Sequence, residues 1–136
     1  MNKLTTVLSV VVAGAFCVSP AFGILTFRKE FEAYYKVKAP TTDTEVAFAE
    51  LAKEARCNIC HVDGEEKEIR NPYGMALSEL LDEEKFDRTR CKEDPEGVTK
   101  EITDAFKQVE AKESPWAKTF GELIRAGKLP GAEPAE

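Results

Sequence analysis

A chain of 136 residues with 25 acidic and 19 basic side chains carries a formal net charge of −6, and a surplus of that sign repels nucleic-acid phosphates. The length holds one hydrophobic core and leaves little room for a second domain. The charge suits a partner protein with a basic docking patch as well as it suits plain solubility.

Residues 1–23 read as an export signal. Lys3 precedes an uncharged apolar run of fifteen residues, Leu4–Val18, and Ala21-Phe22-Gly23 supplies a small-x-small cleavage site. The run is shorter than the roughly 20 residues a membrane span needs, and no other stretch approaches that length. The mature chain is therefore expected to begin near Ile24, to have no membrane span, and to work as a soluble protein in the periplasm or another extracytoplasmic space. Cys17 leaves with the leader, and Phe16 stands where a lipoprotein signal requires a small residue; an uncleaved leader would instead serve as an anchor. Of the basic residues only Lys3 is lost, so 18 basic residues face 25 acidic ones, a net charge of −7.

Residues 24–41 form an N-terminal segment expected to pack on the domain, with Phe27, Phe31, Tyr34 and Tyr35 at helical spacing before Pro40. The domain proper is assigned to 42–130. Thr42 and Glu45 have the pattern of a capping box, after which Phe48, Leu51, Ala52 and Ala55 share one face of a helix that runs into Cys57. Asn71-Pro72 opens a second helix, with Tyr73, Ala76, Leu77, Leu80 and Leu81 as its apolar stripe before Asp82-Glu83-Glu84. Asp94-Pro95 opens a third through Val98, Ile102, Ala105, Phe106 and Val109. Ser114-Pro115 opens a fourth through Trp116, Phe120, Leu123 and Ile124, stopped by Gly127 and Pro130. Residues 61–70 and 83–94 are expected as charged loops and 131–136 as a flexible tail. No strand-like alternation occurs, and the fold class is all-α, with about four helices.

Cys57-Asn58-Ile59-Cys60-His61 is a C-x-x-C-H, the attachment signature of c-type haem. The two thiols add across the vinyl groups on one porphyrin edge, and the turn between them places the next imidazole under the iron as proximal ligand. Export agrees with this, because covalent haem and oxidised thiols belong outside the cytoplasm. Three rival uses compete for the same residues. A thioredoxin-like dithiol needs a βαβ setting, and no strands are evident. A zinc site of Cys57, Cys60, His61 and Cys91 asks adjacent Cys60 and His61 to take two corners of one tetrahedron. A plain disulfide leaves unexplained why the one histidine of the chain follows the second cysteine. Under the haem reading Cys91, between Arg90 and Lys92, is a bystander expected to be exposed, oxidisable and open to intermolecular pairing.

At Cys57, Cys60 and His61 the chain resembles the small monohaem c-type cytochromes, in which a helix leads into the motif and a C-terminal helix crosses it. Arg70-Asn71-Pro72-Tyr73-Gly74 and the segment Phe120 to Pro130 resemble stretches of small bacterial proteins of that type. The resemblance implies an all-α, cytochrome c-like bundle around one covalently bound haem c, with one porphyrin edge exposed and electron transfer as the activity. Such a flat apolar body would give Phe48, Leu51, Tyr73, Leu77, Phe106, Trp116 and Phe120 an internal wall to pack on.

Two functions stand side by side: an electron carrier with a six-coordinate iron, and a haem protein with an open distal face that senses a small molecule or handles peroxide. A docked subunit of a larger oxidoreductase is a third arrangement. The sequence holds no Ser/His/Asp set and no second histidine, and Glu65-Glu66 and Glu83-Glu84 read as solvated loops, so no catalytic residue is assigned and the protein is read as a non-enzyme. His61, as proximal ligand, is expected to donate from its other ring nitrogen to a carbonyl or carboxylate. Met75, the methionine left after the leader, is the candidate distal iron ligand, since methionine opposite histidine raises the potential of c-type haem. It falls in the first turns of a helix, about 200° round from Tyr73 and away from the apolar stripe. Ligation by Met75, an open or water-bound iron, and a lysine, tyrosine or Cys91 all remain open.

Overall fold

The computed structural model describes residues 21–135, with side chains from residue 25 onward. Among these the chain forms six α-helices and two short 3-10 turns with no β-strand; one isolated bridge joins His61 to Arg70. The all-α class holds, with more and shorter helices than the four expected. The expected leader lies outside the described residues except for its last three, which form the start of helix α1, Ala21–Tyr34.

Helix α1 buries Phe31 and is followed by buried Tyr35, whose rings pack on those of Phe48 and Phe106 at centroid distances of 5.7–6.2 Å. Helix α2, Asp43–Ala55, begins at the capping box read from the sequence: the Thr42 hydroxyl accepts from the Glu45 amide, and the Glu45 carboxylate accepts from the Thr42 amide. Its buried face is Phe48, Ala49 and Ala52. Leu51, expected on that face, lies at its edge and stays 40 % exposed, because the contact is made through the two small alanines.

Helix α3, Pro72–Ser78, opens as expected with Asn71 capping and proline in its first turn. It stops before the expected Leu81. The Ser78 hydroxyl donates to the Met75 carbonyl, competing with the helix ladder, and the chain turns to bring Leu81 into the core. The stretch 83–94, expected as a loop, is largely helical. Asp82 caps a 3-10 turn Glu83–Lys85 and Asp87 caps helix α4, Arg88–Glu93, while Phe86 between them is buried. Two aspartates at capping positions and one aromatic anchor outweigh the run of charge.

Helix α5, Pro95–Glu110, follows its Asp94 cap and buries Val98, Ile102, Ala105, Phe106 and Val109 as the spacing requires. The last helix, expected from Ser114-Pro115, starts later: α6 spans Phe120–Arg125. Residues 113–118 are irregular, with the Trp116 amide bonded to the Ser114 hydroxyl, and the Thr119 hydroxyl supplies the cap. Gly127, at φ +74°, ends α6 as read.

Helix α5 is the central element, touching α1, α3, α4 and α6. Of the side chains expected to wall a porphyrin, Phe48, Tyr73, Phe106 and Phe120 are sealed in the protein core, Leu77 and Trp116 are half-buried, and Leu51 is exposed. Among the described residues no helix is long and apolar enough to cross a membrane.

Candidate functional site

Helix α2 delivers the motif and ends abruptly. Arg56 adopts φ +51°, ψ −112°, a backbone conformation L-residues rarely occupy, and swings the chain into the 3-10 turn Arg56–Ile59. Ile59 anchors that turn in the core. The amides of Cys60 and His61 both donate to the Cys57 carbonyl, at 3.2 and 3.1 Å, so the two cysteines and the histidine ride on one tight bend.

Both thiols are free. Cys57 is exposed and Cys60 half-buried; burial pushes the Cys60 thiol up to about 12, with Arg70 opposing and Cys57 adding to the shift. His61 is half-buried, paired through its backbone with Arg70, and its Nδ1 is sealed from solvent without a hydrogen-bond partner. The expected bond from that ring nitrogen to a carbonyl or carboxylate is absent. The carbonyls of its own turn are otherwise engaged.

What engages them is Asn71. Its side-chain Nδ2 donates to the carbonyls of Asn58 (3.2 Å), Ile59 (3.0 Å) and His61 (3.4 Å), and its backbone amide donates to that of Cys60 (3.0 Å). Its Oδ1 meanwhile accepts from the Gly74 amide as the cap of α3. Asn71 is 4 % exposed. Gly74 and Gly131 let backbone close over this junction: a Cβ on Gly74 would lie 2.0 Å from the Cys60 carbonyl oxygen, and one on Gly131 would lie 2.1 Å from Nδ2 of Asn71. The sequence marked Asn71 as a helix cap; its grip on the motif twelve residues earlier carried no local signal.

Two further polar atoms are sealed without partners, the hydroxyls of Tyr35 and Tyr73. Burial pushes both phenols far above their ordinary range. Tyr73 and Glu110 add to the shift at Tyr35, and Cys60 adds to it at Tyr73. The phenols lie close enough to affect each other's ionisation, yet neither hydroxyl has hydrogen-bonding geometry to a partner.

Met75 occupies the first turn of α3 with 59 % of its surface exposed, on the side away from buried Tyr73. Cys91 is placed elsewhere, on α4, where it corrects the expectation of an exposed thiol. It is half-buried, its Sγ donates to the Phe86 carbonyl at 3.7 Å and lies 3.8 Å from the Thr26 hydroxyl, and Arg90 beside it pairs with Glu101. Among the described residues no three His, Cys, Asp or Glu side chains gather closely enough to hold a metal ion by themselves, so the four zinc ligands weighed above are not brought together. No protein-family model, curated protein or solved structure matches the sequence.

Proposed function

We propose that the protein is an extracytoplasmic electron carrier that holds one haem c through Cys57, Cys60 and His61. The observation that carries this reading is the bend itself: two unpaired thiols three residues apart, followed at once by the chain's one histidine, on a backbone whose carbonyls are fixed by hydrogen bonds. Each thiol would add across one vinyl group, the sulfur–carbon bond forming as the S–H bond breaks and the hydrogen passing to the other vinyl carbon. No oxidant is consumed, and a disulfide between the two would block the step. The free thiols therefore suit attachment. The sealed Nδ1 of His61 leaves Nε2 as the nitrogen for iron. Bound haem would supply the one-electron couple, and the chain's own residues would hold it, exclude water from the thioether side and present acidic surface to a basic redox partner.

Expression of the full chain with a cytochrome c maturation system tests the reading. Wild type should carry one haem that survives acid-acetone extraction, and Cys57→Ala with Cys60→Ala should carry none. Extractable haem, or zinc in its place, would sink the proposal.

A second reading, an iron with an open sixth position, is favoured by where Met75 sits. Helix α3 is fastened to the His61 bend through Asn71, so its methionine belongs to the element that grips the proximal side. Carbon monoxide added to ferrous wild type and Met75→Ala separates the two. Binding by wild type selects the open site; a methionine-to-iron charge-transfer band lost in the variant, with no binding by wild type, selects the carrier.

A further inference from the structure

We infer that Asn71 is the positioning residue of the attachment bend: it fixes Cys57–His61 in one conformation before haem arrives, so that both thiols meet their vinyl carbons and the imidazole is aimed. The inference rests on the haem reading above and adds to it a residue outside the C-x-x-C-H motif.

Four of the five motif carbonyls, those of Asn58, Ile59, Cys60 and His61, are held by this one residue, and the fifth, that of Cys57, is held by the amides of Cys60 and His61. An amide group has two hydrogens. Three carbonyls converging on it therefore form a shared cradle, with His61 the longest member at 3.4 Å. The side chain is enclosed: Asn71 is buried, the Gly131 backbone lies close against Nδ2 and the Gly74 backbone close against the Cys60 carbonyl. A C-x-x-C-H segment free in solution samples many bends, and adding two thiols to two fixed vinyl carbons costs that freedom. Here the freedom is already gone. The clamp also makes His61 share its carbonyl with the amide that caps α3, so a change at Asn71 reaches both the iron ligand and the element that bears Met75.

The cap and the clamp use different atoms, and this makes the role testable apart from folding. Asn71→Ser retains an oxygen that can accept from the Gly74 amide, since serine is as good a cap as asparagine, and removes the amide donors. Full-length wild type, Asn71→Ser and Asn71→Ala are expressed with a maturation system and read by intact mass for chains with two, one or no thioethers, by haem spectrum, by reduction potential, and by far-ultraviolet melting. Asn71→Ser is expected to melt as a helical protein while the fraction with two thioethers falls roughly tenfold, as loss of an outer partner of a metal ligand typically does, and the remaining holoprotein shifts in potential. Exchange of the Asn71 side-chain amide protons in haem-free wild type, followed by nuclear magnetic resonance, needs no variant and should be far slower than that of exposed Gln108. An Asn71→Ser protein with wild-type thioether yield and potential, or a fast-exchanging Asn71 amide, would overturn the clamp and leave the haem reading standing. Wild type without covalent haem would overturn both.

Discussion

Cys60 shows how one side chain's burial sets a pH limit on the fold. Its thiol is pushed from about 9 to about 12, chiefly by burial, so the folded chain holds that proton where the unfolded chain has released it. A group raised in the folded state contributes stability that is whole below the unfolded value and is lost as pH climbs toward the folded one. The window is therefore pH 9 to 12. Tyr35 and Tyr73, both raised from 10, act in the same direction from slightly higher pH. The haem-free protein should lose urea resistance progressively above about pH 9, and Cys60→Ala should delay the onset toward about pH 10, leaving only the tyrosine share. A midpoint flat from about pH 8 to about 11 would contradict this. Under the proposed haem attachment, thioether formation would remove the Cys60 proton altogether, and the haem-loaded protein should then behave as Cys60→Ala does.

At the scale of the element, the parts legible in the sequence are those written within one turn of chain. Thr42 with Glu45 three residues on, and the adjacent pairs Asn71-Pro72 and Asp94-Pro95, each fix a helix start with groups close in the chain, and each helix starts where these residues place it. The charged stretch 83–94 has the composition of a loop, and its order comes instead from two aspartate caps and from Phe86, whose burial depends on α1: its ring meets that of Phe27 at 5.0 Å. The start of α6 lies later than Ser114-Pro115 predicts: that pair looks like a cap, but Phe120 donates its amide to the Lys112 carbonyl and the chain folds back over the end of α5 first. At the site, Cys57, Cys60 and His61 are local and readable, while the grip of α3 on them is a tertiary contact and is not. Gly74 tests that contact. A methyl group there would meet backbone, the Cys60 carbonyl, rather than a side chain that can swing aside. Gly74→Ala should destabilise the chain by about 1–3 kcal/mol or more and should lower haem attachment with it. Gly64→Ala, at φ +76° with nothing within 4 Å, should cost about 1 kcal/mol through backbone conformation alone and spare attachment. Urea titrations and haem-to-protein ratios on the two variants measure both effects; equal costs would mean that α3 can slide away from the motif.

At the scale of the molecule, the proposed carrier function makes charge a selector of partners. Without the expected leader the chain carries −7, and the exposed stretch that follows His61 is itself acidic, with Asp63, Glu65, Glu66 and Glu68 against Lys67. A field of that sign steers cationic reagents toward the attachment bend and slows anionic ones, and dissolved salt weakens both effects. The haem-loaded protein should therefore exchange electrons faster with a tripositive metal complex than with a trinegative one at low ionic strength. The ratio should shrink toward the intrinsic one as the Debye length falls from about 30 Å at 0.01 M to about 3 Å at 1 M. Location can be separated from net charge by reversing two glutamates at a time. Glu65→Lys with Glu66→Lys changes the loop beside the motif, whereas Glu93→Lys with Glu96→Lys makes the same change in net charge at exposed positions on α4 and α5. Stopped-flow rates with the tripositive complex should fall further for the first pair if the loop that follows His61 borders the exchanging edge, because screened charge acts most strongly on what lies nearest to it. An equal fall for the two pairs would show that only the overall charge matters and would remove the acidic loop from the docking surface; a ratio insensitive to salt would remove electrostatic steering from the account altogether.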